Sequence, residues 1–164
     1  MGAVGRGSDT RADDHEAIRA LIARYSTLVD SGDVAGLGEL FAHGSFVVPG
    51  TDTHAKGSEA AQRIFARSLR YYDGIPNTLH LVGNVTVELD DAGLHATATS
   101  ATAVFQSTDT LPLQVILTAT YDDTFEKVGG TWVYRERVVT FLHEGVTDQH
   151  FVHELGGFRI PRAR

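Results

Sequence analysis

Cysteine is absent from the 164 residues. That excludes disulfide staples, thiolate metal sites and cysteine nucleophiles together. Basic residues are also short: 14 Lys plus Arg stand against 21 Asp plus Glu, a net charge of −7. Nucleic acid and anionic membranes both need a basic surface, so neither is expected as a partner. No apolar run approaches the roughly 18 residues of a spanning helix. The opening Met1-Gly2-Ala3-Val4-Gly5-Arg6-Gly7-Ser8 lacks the apolar stretch of a signal peptide. The cytoplasm is therefore the expected compartment. There is no phosphate loop, and Gly5-Arg6-Gly7 follows no strand and makes no dinucleotide fingerprint. No cofactor is expected.

What is present suits one domain with one core, since a chain of this length buries roughly two thirds of its unfolded surface. Residues 1–11 are Gly-rich and polar and read as a disordered segment. Ile18, Leu21, Ile22, Tyr25, Leu28 and Val29 form one apolar stripe, which predicts a helix from about Asp13 to Val29. Ser31-Gly32 ends it, and Asp33 caps a short second helix through Leu37, Leu40 and Phe41. Phe46-Val47-Val48 reads as a short strand stopped by Pro49-Gly50, with a polar loop over Thr51 to Lys56. Ser58 opens a third helix whose inner stripe is Ala61, Ile64, Phe65, Ser68 and Leu69, ending near Tyr72.

After Pro76 the period changes to two. Four long strands are expected: Leu79 to Leu89, Leu94 to Ser107, Leu113 to Phe125 and Trp132 to Leu142. Asp90-Asp91-Ala92-Gly93 and Gly129-Gly130 are the hairpin signals. Helices first and antiparallel strands after predict an α+β fold, with about three N-terminal helices packed on a curved antiparallel sheet. Strands this long exceed the common five or six residues. They bend, and a bent sheet closed by helices makes a cone.

With these elements in place, the sequence resembles the SnoaL-like branch of the nuclear transport factor 2-like superfamily. Three segments carry the resemblance: Ile22-Ala23-Arg24-Tyr25 through Asp30-Ser31-Gly32-Asp33 to Phe41-Ala42; Thr78-Leu79-His80-Leu81-Val82-Gly83-Asn84-Val85; and Tyr121 to Phe125 with Gly130 to Arg137. The resemblance implies a cone-shaped α+β barrel over residues 12–142, a deep apolar pocket, and a homodimer or homotrimer. Its relatives include cofactor-free lyases, isomerases, cyclases and epoxide hydrolases, and also non-catalytic binding proteins.

Two of those relatives, scytalone dehydratase and hexachlorocyclohexane dehydrochlorinase, use an Asp–His dyad. The matching positions here are Asp30 and His80. The dehydrochlorinase also uses an arginine on the last strand, for which Arg137 is the nearest match. Its lysine five residues before the Asp is Tyr25 here, a departure that leaves the substrate open. Steroid isomerase relatives place an acid after the second helix, and Phe46-Val47-Val48-Pro49 offers none.

A histidine removes a proton when a carboxylate holds its other nitrogen, so His80 is the expected base and Asp30 its orienter. Tyr25 and Arg137 are expected to polarise the substrate. Strand parity puts Val82 and Asn84 on the His80 face. Phe65, Leu69, Val48 and Phe141 complete the expected binding wall. Leu79, Leu81, Val85 and Val87 form the opposite, apolar face. Arg135 shares the parity of Arg137 and competes with it for the inward place.

The small residues Ala96 to Ala103 either leave room for ligand or let a second subunit approach. The tail, residues 143–164, holds His143, His150 and His153. His150-Phe151-Val152-His153-Glu154 is not the zinc-protease order, and no metal is expected. Phe151, Leu155 and Phe158 read as a lid or a subunit contact.

The expected function is elimination from a small hydrophobic, cyclic molecule by a cofactor-independent dehydratase or other lyase. An isomerase or cyclase with the same base stands as the alternative. So do a non-catalytic binding protein for a hydrophobic small molecule and an interacting subunit.

Overall fold

A computed structural model describes residues 6–152, with side chains from residue 10. Three helices come first: α1 (Arg6–Ser31), α2 (Val34–Leu40) and α3 (Ser58–Ser68). Six strands complete the fold: β1 (Ser45–Val47), β2 (His54–Lys56), β3 (Thr78–Leu89), β4 (His95–Gln106), β5 (Gln114–Val128) and β6 (Thr131–Glu144).

The apolar stripe of α1 is buried at Ile18, Ile22, Tyr25, Leu28 and Val29. The helix begins at Arg6, earlier than the expected Asp13, so residues 6–11 are helical rather than disordered; residues 1–5 lie outside the described part. Asp14 ties the helix to the sheet. Its carboxylate accepts from Lys127 Nζ at 2.6 Å and Trp132 Nε1 at 2.8 Å, which pins the first turns of the core-facing stripe to the β5–β6 hairpin. At the other end Gly32 sits at φ 72°, where glycine has no steric penalty. Its N–H bonds Val29 O and the Asp33 N–H bonds Leu28 O, a Schellman ending. Asp33 then caps α2 by accepting from the Gly36 N–H at 2.8 Å.

The sheet runs β2-β1-β6-β5-β4-β3 and is not closed. It is mixed, which corrects the purely antiparallel expectation: β1 lies parallel to β6, with Phe46 opposite Arg137. The strands after Pro76 are antiparallel to one another, as their short turns require. Residues 54–56, expected in a loop, form β2, an edge strand paired to β1. Three residues are too few for their alternation to show in sequence.

Inward residues alternate along the long strands until a bulge resets them. Ala96, Ala98, Ser100, Thr102, Val104 and Gln106 of β4 are buried, as are Leu117, Ala119, Tyr121, Asp123 and Phe125 of β5. On β6 the inward set is Trp132 and Tyr134, then Arg137 and Val139. The break falls at Arg135, opposite a register shift between Thr124 and Phe125. Arg135 therefore turns outward, with Nε 3.4 Å from Glu126, and the competition for the inward place goes to Arg137.

A second bulge lies between Gly83 and Thr86 on β3. Asn84 occupies it at φ 53°, a left-handed conformation that asparagine tolerates. Thr78, His80 and Val82 face the core before the bulge, and Val85, Val87 and Leu89 after it. Asn84 is exposed, which corrects its expected place beside His80. Leu79 and Leu81 point the other way, 55% and 54% exposed.

Candidate functional site

The end of α1 and the start of β3 meet at one carboxylate. Asp30 Oδ1 lies 2.6 Å from His80 Nδ1, and Oδ2 accepts the His80 backbone N–H at 2.8 Å. The Thr78 hydroxyl donates to Oδ1 at 2.8 Å. Burial alone would raise the Asp30 carboxyl, but the His80 ring, the His80 N–H and the Thr78 hydroxyl outweigh it and hold it below the usual carboxylate range. An ionised carboxylate only accepts, so Nδ1 of His80 donates the hydrogen bond and Nε2 is the ring nitrogen left for another partner. The side chains are 17% and 7% exposed, so little water dilutes the contact.

His80 borders a cavity of about 70 Å³. On that scale one water needs about 10–15 Å³, so the space holds roughly five waters. The walls are apolar. Val48, Phe65, Leu69 and Phe141 all line it, together with Val29, Val104, Leu117, Ala119 and Val139. Val82 faces inward beside His80 and packs on the core behind this lining. The polar side chains at the wall are Tyr25, Tyr121, Thr53, Ser68, His80 and His150.

Tyr25 stands edge-on to His80, ring centroids 6.4 Å apart at 84°. It is also packed in an aromatic cluster with Phe41, Phe46, Phe65 and Tyr121. Burial pushes its phenol well above the ordinary range. The hydroxyl stays protonated and can donate a hydrogen bond.

Arg137 is placed differently from its expected role. It is fully buried and lies behind the cavity wall, not on it. Nε and Nη2 donate to the two oxygens of Asp123 at 2.8 and 2.6 Å, a bidentate pair across the β5–β6 register. The guanidinium stacks 4.2 Å from the Tyr25 ring and 4.1 Å from the Tyr121 ring. Burial opposes both charges and pushes the Asp123 carboxyl up, while Tyr134 and Asp123 push Arg137 further up despite it. The bidentate geometry decides for the charged pair, because a protonated carboxyl could not accept both donors. Arg137 thus supports the backs of two tyrosines that face the cavity.

His150 enters from the segment after β6. It is 3% exposed and its ring borders the cavity. Among the described residues no three His, Cys, Asp or Glu converge as a metal site. His143 bonds the Thr118 hydroxyl at 2.8 Å on the exposed surface. His153, Leu155 and Phe158 lie outside the described residues. Phe151 lines the cavity and pairs with Leu69 through an isolated bridge. The tail has no period from which its inward residues can be picked.

The SnoaL-like domain model matches residues 10–138, most of the chain and both halves of the Asp30–His80 contact. The chain belongs to the SnoaL-like domain family. No curated protein matches its sequence. A nuclear transport factor 2-like protein of cystatin-like fold from Novosphingobium aromaticivorans is 26% identical, with TM-score 0.69 over 88% of this chain and 96% of that one. A candidate scytalone dehydratase from the same organism is 21% identical, with TM-score 0.69 over 96% and 99%. LinA is 17% identical, with TM-score 0.67 over 88% and 97%. The last two likenesses establish the fold that this SnoaL-like chain shares with them. Among the described residues no helix is long and apolar enough to cross a membrane.

Proposed function

We propose that this SnoaL-like protein is a cofactor-independent lyase that eliminates water or another leaving group from a small cyclic substrate. The observation that carries the reading is the 2.6 Å contact of Asp30 with His80 at the wall of an apolar cavity. A protein that only binds a hydrophobic molecule needs no buried carboxylate behind its histidine. The likeness in fold to a candidate scytalone dehydratase supports the same class.

With Nδ1 turned to Asp30, Nε2 is the nitrogen that acts as base. His80 takes a proton from a ring carbon, and the C–H electron pair becomes the new double bond. The neighbouring C–O bond breaks, and the departing oxygen takes a proton back from the imidazolium and leaves as water. Asp30 holds the tautomer and stabilises the imidazolium between the two transfers. An imidazole is a weak base toward carbon, so the substrate's C–H is one acidified by a neighbouring electron-withdrawing group such as a carbonyl. Tyr25, protonated and edge-on to His80, donates to the oxygen on which charge develops. An isomerase would use the same first step and return the proton to carbon.

The test is a screen of hydroxylated cyclic ketones for appearance of a conjugated product, read by ultraviolet absorbance. Turnover by the native protein that vanishes in His80→Ala and falls steeply in Asp30→Asn supports the reading. Turnover that survives both substitutions overturns it.

A further inference from the structure

His150 is packed on Phe151 and also borders the cavity with a polar ring. We infer that its neutral imidazole is a second substrate-binding group, and that the ligand is a small ring with two oxygen functions, one at His80 and one at His150. This rests on the reading above that the cavity takes a small oxygenated ring.

The chain invests heavily in fixing this ring. His150 O accepts the Arg70 N–H at 2.7 Å, and the His150 N–H bonds Thr147 O at 2.9 Å. Next to it, Gln149 O accepts the Tyr72 hydroxyl at 2.7 Å and Gln106 Nε2 at 3.1 Å. The Val152 N–H bonds Ser68 O, and Arg70 Nε donates to Phe151 O at 3.0 Å. These bonds tie residues 147–152 to the end of α3 and the stretch after it. They hold the main chain at His150 where its side chain reaches the cavity wall.

Within that fixed position Nδ1 is buried and has no hydrogen-bond partner. A buried polar atom left unpaired destabilises the fold. Phenylalanine would stack on Phe151 as the imidazole does, at 4.4 Å between ring centroids, and would leave nothing unpaired. Nδ1 is sealed even from water, so a ligand in the cavity would meet the ring at Nε2, the edge that a phenylalanine could not replace. The groups whose charge His150 feels are His80 and Asp30, which places it electrostatically within the same site. Burial keeps it neutral, so it does not compete with His80 for the Asp30 charge. A neutral imidazole can donate to a carbonyl or leaving oxygen, as catalytic histidines elsewhere do.

The experiment uses toluene, phenol and resorcinol as probes, with binding measured by calorimetry. In the native protein resorcinol is expected to bind about tenfold more tightly than phenol, the worth of one good hydrogen bond. In His150→Phe that gain should disappear while the preference for phenol over toluene remains. His150→Asn, which keeps a polar donor, should retain part of it. Nitrogen NMR of the native protein should show the His150 ring resonances moving with resorcinol and not with toluene. No resorcinol gain, or a gain that survives His150→Phe, overturns the inference. His80→Gln separates the two readings: turnover that persists there removes the lyase assignment, while an intact resorcinol gain leaves His150 in place.

Discussion

Asp30 holds His80 twice: Oδ1 meets the ring nitrogen at 2.6 Å and Oδ2 meets the backbone N–H of the same residue at 2.8 Å. One carboxylate therefore fixes the imidazole, its tautomer and the first residues of β3. Position and chemistry are set by the same group, so they can be separated by choosing the substitution.

Asp30→Asn keeps an oxygen for one donor but cannot take the proton-bearing nitrogen and the backbone together as an anion. The fold should persist while kcat falls by about 10²–10⁴, the range seen when a histidine loses its orienting carboxylate. Asp30→Ala should also lose about 1–3 kcal/mol of stability from the unpaired Thr78 and His80 donors. Steady-state kinetics and urea unfolding of the two variants check the separation.

Acid should weaken the fold in two stages. His150 is pushed down to about 3 by burial, from an unfolded value of 6.5. The unfolded chain therefore binds a proton below about pH 6.5 that the folded chain refuses. Stability from this group is complete above that pH and falls by about 1.4 kcal/mol per unit as pH drops toward 3. Asp30 is lowered from 3.8, so its contribution is complete above about pH 4 and is lost only as pH falls through its still lower folded value. Urea midpoints between pH 7.5 and 4.5 should slope in the native protein and flatten in His150→Phe.

The Arg137–Asp123 pair should be costly to break and cheap to remove. Arg137→Met leaves a buried carboxylate facing aromatic rings and should lose about 3–5 kcal/mol. The double substitution Arg137→Met with Asp123→Leu should recover much of that loss. Denaturant unfolding of the single and double variants tests this. A double variant that unfolds no later than Arg137→Met would mean the site needs the cation between Tyr25 and Tyr121 for more than neutrality.

Ala119 is buried against the empty space of the cavity. Ala119→Leu places a side chain where a ligand would sit. Phenol binding should fall at least about tenfold, while stability changes by less than about 1 kcal/mol, since the added methyls enter space already open. Calorimetry and thermal unfolding measure the two effects side by side.

The sequence was informative where a period ran unbroken. The α1 stripe, the Asp33 cap and the two hairpin turns could all be read from residue spacing, because side-chain direction along a regular element is fixed by geometry. Parity failed at the bulges. Counting in twos puts Asn84 on the His80 face, and one extra residue in β3 reverses the count. Arg137 kept its inward direction but not its expected contact, because nothing in the spacing marks Asp123 as the residue opposite it in register. His150 lies in a stretch with no period at all. Its position depends on backbone bonds to α3 and to residues 69–72, which only the assembled fold supplies.

The cavity wall is drawn from distant stretches of the chain, and His150 and Phe151 are the last described residues to join it. A chain cut before Gln149 would therefore keep both partners of the Asp30–His80 contact and lose the piece of wall that Phe151 seats on Leu69.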